Sequence, residues 1–105
     1  MATSVDFIEF VYESVKKYGF ARYKKMFGEY MVYIDEKPVF LVCDNTVYIK
    51  KHAGIEQLMA DSDVGHPYNG AKEHYILDIE NANLLDCIIP MLVQLTPFPK
   101  EKKKK

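Results

Sequence analysis

Apolar residues near the start of the chain recur at three- and four-residue spacing, so that Phe7, Ile8, Val11, Tyr12 and Val15 share one face of a helix. Thr3 or Ser4 is placed to cap it, Asp6 lies near the positive end of its dipole, and Lys16 and Lys17 suit its last turn. Gly19 then reads as the left-handed residue that stops it. From Lys25 the period falls to two: Phe27, Glu29, Met31 and Tyr33 point one way, and Met26, Tyr30, Val32 and Ile34 the other. Gly28 marks a bulge or a close approach. Asp35-Glu36-Lys37-Pro38 reads as a turn, Val39 to Cys43 as a strand covered on both faces, and Asp44-Asn45 as the turn into Thr46 to Lys50.

Beyond this three-stranded meander, Ile55, Leu58 and Met59 predict a short helix over 53–60, and 61–67 is a polar loop. A two-strand return follows, weak at 67–69 and clearer at 74–79. Leu84, Leu85, Ile88, Ile89, Leu92 and Val93 form the stripe of a last helix from about Asn81 to Leu95, capped by Glu80 or Asn81. Pro90 predicts a kink in it or a restart, because a proline ring clashes with the carbonyl four residues back and brings no N–H. The order α-β-β-β-α-β-β-α defines an α+β fold, an antiparallel sheet packed by helices. Its open edges invite protection, and self-pairing into a homodimer is one way to obtain it.

Charge alters this picture at one end only. Residues 100–105 carry five lysines and one glutamate, a net +4, which leaves −5 for the rest of a chain whose total is −1. An acidic body is a poor match for the clustered cations of a nucleic-acid surface. The expected organisation is one domain over 1–97 and a basic, disordered tail over 98–105. No stretch approaches the roughly 20 apolar residues of a membrane span, and Asp6 and Glu9 stand where a secretory signal needs a basic start. The chain therefore reads as cytoplasmic and away from membranes. Cys43 and Cys87 both adjoin apolar runs and read as small buried hydrophobes.

Chemistry-bearing patterns are sparse. His52, His66 and His74 lack the short paired spacing of a zinc site. The serines and cysteines stand beside no evident base, and 65–70 lacks the lysine and following helix of a phosphate loop. Neither a catalytic residue, a metal nor a cofactor is implied. What remains is the cluster Lys16, Lys17, Arg22, Lys24 and Lys25 with Tyr18, Phe20, Tyr23 and Phe27 among it. Interleaved rings and cations can stack bases and neutralise phosphates. The same residues also suit rings packed inward beneath solvated lysines.

The approach Arg22 to Lys25, the Met26-Phe27-Gly28 step, the strand Tyr30 to Ile34 with its Asp35 turn, and the hairpin Phe40 to Lys50 with its Asp44-Asn45 turn resemble the TfoX N-terminal domain. That domain is the leading half of bacterial competence regulators of the TfoX/Sxy kind, and the match covers most of the body. The resemblance implies an α-β(3)-α-β(2)-α sandwich similar to secretion chaperones, and a regulatory or adaptor role in competence or transcription. Glu29 and Met31 depart from the small residues usual there, and 74–80 lacks a proline-containing strand end. The helix-hairpin-helix-like second domain of full-length regulators has no counterpart, so the chain reads as a stand-alone N-domain. The expected activity is non-enzymatic, through contacts with a protein partner on Arg22, Lys24, Lys25, Phe27 and Tyr30. Nucleic-acid binding by the 22–25 patch and the lysine tail is the alternative.

Overall fold

The computed structural model describes residues 3–26 and 29–96. The expectations for Phe27, Gly28 and the tail lie outside them. Helix α1 (Val5–Val15) begins where Ser4 Oγ accepts a hydrogen bond from the Phe7 N–H at 3.2 Å. Thr3 is not the cap: its buried hydroxyl donates to the Val42 carbonyl and accepts from the Asn45 N–H. Ile8, Val11 and Val15 are fully buried, as their spacing requires. The helix then tightens into a 3₁₀ turn, Lys16–Tyr18. Gly19 is extended rather than left-handed, with φ 161°. Its function is steric, since a Cβ there would lie 2.9 Å from Asp35 Oδ1 and 3.0 Å from Ile34 Cγ2.

Four strands follow as one meander: β1 (Ala21–Met26), β2 (Glu29–Ile34), β3 (Lys37–Cys43) and β4 (Thr46–Ile49). The sequence predicted three. The extra strand is the basic segment itself, in which Ala21 and Tyr23 turn inward while backbone pairing to β2 runs from Ala21↔Ile34 to Met26↔Glu29. Asp35 and Glu36 have φ of 52° and 70°, and Asp44 and Asn45 of 53° and 57°. Both are two-residue turns with the positive φ that matches strand twist. Lys37 and Pro38 therefore belong to β3 and not to the turn. Val39 is the extra residue of a bulge, because Val32 pairs with Phe40 while Tyr33 pairs with Pro38. A proline without an N–H fits beside such a break.

The short helix expected over 53–60 is a 3₁₀ turn, Ala53–Ile55, followed by further turns that still bury Ile55 and Met59. Gly54 weakens a helix there. The weak strand expected at 67–69 is instead β5 (Val64–Gly65), paired to β6 (His74–Leu77). The sheet is six-stranded and antiparallel, in the order β1-β2-β3-β4-β6-β5. Helix α2 (Ala82–Leu95) is capped by Asn81, whose Oδ1 accepts from the Leu84 N–H at 3.1 Å, and it runs unbroken through Pro90. The fold is α+β, two helices on an antiparallel sheet.

The pleat explains where the core lies. Tyr30, Val42, Val47 and Leu77 are register partners across four strands and all are buried, as are Val32 with Phe40 and Ile49 with Tyr75. They form one cluster with Ile8, Val11 and Val15 of α1 and Leu85, Ile88, Ile89 and Leu92 of α2. Both helices thus cover the same face. Each fully buried side chain of this kind contributes about 1.5–3 kcal/mol. Cys43 is buried, but Cys87 is exposed on α2 and does not belong to the core. Among the described residues no helix is long and apolar enough to cross a membrane.

Candidate functional site

The structure divides the surface expected around β1. Arg22 lies on the face away from the helices, its Nη2 2.7 Å from Glu36 Oε1 and its guanidinium 4.2 Å over the Tyr33 ring. The pairing raises the Arg22 pKa and lowers that of Glu36, in each case chiefly through their hydrogen bond. Lys24 and Lys25 are exposed and, being consecutive, point to opposite faces. Tyr30 is 6% exposed and cannot meet a partner. Its ring packs edge-on against Tyr23 at 5.5 Å, and Tyr23 against Tyr12 at 6.0 Å.

The rings among the cations are held by acids. The Tyr23 hydroxyl donates to Glu9, and Tyr18 Oη donates to Asp86 Oδ1 at 2.5 Å. Burial, then the Asp86 bond, pushes the Tyr18 pKa up to about 12. Phe20 alone of these described rings is widely exposed, at 62%. With Arg22 paired to Glu36 and two tyrosines tied to carboxylates, Lys24 and Lys25 are the exposed cations of β1 that no ion pair holds among the described residues.

A different site is built on the uncovered face. Lys24, Met31, Leu41, Tyr48 and Ile76 are successive register partners across β1, β2, β3, β4 and β6, so their side chains form one row. The four apolar members are half-buried. Beside this row Tyr48 meets His74 edge-on at 6.4 Å. Gly65 keeps the space over the Tyr48 ring open, since a Cβ there would approach that ring and Ile76 Cδ1 to 3.3 Å.

This row opens into a groove of about 630 Å³, a volume within the range of roughly 300–1,000 Å³ usual for ligand sites. Met31, Leu41, Tyr48 and His74 line it from the sheet, and Val39, Lys50 and His52 from the end where β3 and β4 are no longer paired. Tyr68, Ala71 and Lys72 form the lip contributed by the loop between β5 and β6. That loop is pinned from within: His66 Nδ1 donates to the Ala71 carbonyl at 2.9 Å and His74 Nδ1 to the Lys72 carbonyl at 2.7 Å. A carbonyl only accepts, so each Nδ1 carries the proton and Nε2 is left for another partner. Burial, then the neighbouring Lys50 charge, lowers the His52 pKa.

At the other end of this face burial pushes the Cys43 thiol up to about 12, with the Glu29 carboxylate adding to the effect. Among the described residues no three His, Cys, Asp or Glu side chains gather in a way that would hold a metal ion.

Sequence reading did not find the groove. Period two places Leu41 and Tyr48 on one side of their strands, yet only the register of four separate pairings aligns Met31, Leu41, Tyr48 and Ile76. The two histidines that line it, His52 and His74, lack metal-site spacing in the sequence and are groove walls.

The fold and this face define a class: a small α+β protein with both helices on one side of an antiparallel sheet and a ring-lined groove on the other. The chain belongs to the same family as the uncharacterized 12.7 kDa protein in the trpE 5′ region of Spirochaeta aurantia. The two are 33% identical over 107 aligned positions, which span all of this chain and 93% of that protein. No family model matches the chain, and no solved structure matches it.

Proposed function

We propose that the protein is a non-enzymatic adaptor or regulatory module of the TfoX N-terminal kind, working in the cytoplasm by holding a polypeptide partner on the uncovered face of its sheet. The observation that carries this reading is the row Met31, Leu41, Tyr48 and Ile76, a run of half-buried apolar side chains on the face of the sheet opposite α1 and α2, against which no helix packs among the described residues. Contiguous exposed apolar area on a folded domain marks a contact surface. The resemblance of 22–50 to the TfoX N-terminal domain supports the same role, in competence or transcription control. Of the residues first assigned to the contact, Lys24 extends the row and remains part of it.

Photo-crosslinking tests the proposal. A benzoylphenylalanine is placed at Tyr48 on the open face or at Glu13 on α1, and each variant is irradiated in cells of the source organism. The expected result is a discrete protein adduct from position 48 and none from position 13. Equal adducts from both positions, or none from position 48, overturn it.

A further inference from the structure

We infer that the groove beside Tyr48 is a binding site for an acidic polypeptide segment carrying an aromatic or large apolar anchor residue, an inference that rests on the adaptor reading and specifies its partner. Charge is the first argument. Four cations of the chain are matched with carboxylates: Lys16 with Glu13 at 2.8 Å, Lys17 with Asp86, Arg22 with Glu36, and Lys51 with Glu73. Those at the groove, like Lys24 and Lys25 on β1, are not. Among the described residues Lys50 and Lys72 have no carboxylate partner, although the chain carries 15 acidic residues against 14 basic ones. None of the described residues that line the groove is Asp or Glu, and His52 and His74 add two imidazoles to its wall.

Shape and polarity supply the second argument. Between the cations the floor is apolar and aromatic, with Met31, Leu41 and Tyr48 half-buried and Tyr68 at the lip 61% exposed. An anion without an apolar body would leave that floor wet, and an apolar segment without acids would leave two lysines unanswered. Complementary potentials of this kind set partner choice and encounter rate. The exposed ring of Tyr68 can close over an inserted side chain with little loss of rotamer freedom. The chain's own lysine tail carries the wrong sign to occupy the site.

The test uses the full chain and three acetylated pentapeptides: Glu-Asp-Phe-Asp-Glu, Glu-Asp-Gly-Asp-Glu and Lys-Lys-Phe-Lys-Lys. Binding is followed by amide chemical-shift changes on ¹⁵N-labelled protein. The first peptide is expected to move the signals of Tyr48, Ala71, Lys72 and His74, with affinity falling as salt rises, and the other two to move them far less. The double variant Lys50→Glu, Lys72→Glu, exposed at both positions and checked for an unchanged amide spectrum, is expected to weaken binding at least about tenfold. Tyr68→Ala weakens it with the charges intact. The inference is overturned if the three peptides act alike, if shifts map to Lys25 on the opposite face and spare the groove, or if millimolar peptide moves nothing. It is also overturned if oligothymidylate takes the groove in place of peptide, or if charge reversal abolishes only self-association in sedimentation. A Tyr48 adduct together with silent acidic peptides defeats this inference and leaves the adaptor reading standing. Peptide binding in the groove without any cellular adduct does the reverse.

Discussion

Replacing Pro90 by alanine should make the protein more stable, and the size of the gain follows from where Pro90 sits. It occupies the ninth position of the 14-residue helix α2, exposed, with the helix continuous on both sides. It brings no N–H for the Asp86 carbonyl, and its ring presses on that carbonyl. Relative to alanine, proline in a helix interior costs about 3 kcal/mol. Part of this is offset because alanine frees the unfolded chain, by about 0.4–1 kcal/mol. Exposure means that no core contact changes, so the net expectation is a gain of about 2 kcal/mol. For a chain of this size that raises Tm by about 8–16 °C and the urea midpoint by about 1 M at unchanged slope. Urea titration followed by far-ultraviolet circular dichroism measures it, with Gln94→Ala as an exposed helical control expected within about 0.5 kcal/mol of the parent. A Pro90→Ala midpoint at or below the parent value would refute the reasoning. The helix would then depend on a break at 90 to seat Ile88, Ile89 and Leu92, the outcome that the proline in the sequence first suggested.

Asn45 separates a backbone effect from a hydrogen bond, since its φ is 57° and its Oδ1 accepts from the Ser4 N–H at 2.9 Å. Asn45→Gly should lose about 0.5–1.5 kcal/mol, and Asn45→Ala a further 1–2 kcal/mol or so for the left-handed backbone; equal urea midpoints for the two would contradict the turn. With a thiol-disulfide reagent at neutral pH, exposed Cys87 should react at once and buried Cys43, whose thiol is pushed up to about 12, only on unfolding. Two fast equivalents from folded protein would refute that placement. Tyr18, raised from 10.0 to about 12 by burial and then by Asp86, holds its proton more tightly folded than unfolded. Its contribution is therefore complete below pH 10 and lost as pH rises through about 12. Tyr18→Phe should lower stability at neutral pH by about 1 kcal/mol and flatten the alkaline decline in urea midpoint; an unchanged slope would show that Tyr18 is not so held.

The elements were legible where a local rule decides them. The spacing of Ile8, Val11 and Val15 and the stripe from Leu84 to Val93 are amphipathic patterns, and Asp44-Asn45 is turn chemistry, so each was read correctly from the chain alone. Gly19 misled because glycine after a helix serves two ends, and here the need was room for Asp35 and not a positive φ. The stretch 22–25 misled because an edge strand alternates in burial on one side only, and its lysines hide the period. Cys87 was read as core from its apolar neighbours, yet on a helix the next residue faces a different way from Ile88.

By itself, then, the chain determined an α+β fold, its first and last helices and the Asp44-Asn45 turn, since periodicity and turn chemistry act within a few positions of the residues that carry them. Tertiary structure alone decided the fourth strand of the meander, the loss of Tyr30 to the core, the capture of Arg22 by Glu36, and the row from Met31 to Ile76. Each of these depends on the register of strands far apart in sequence. A shift of one residue in any pairing would turn that row to the helix side, and no local pattern states which register is taken.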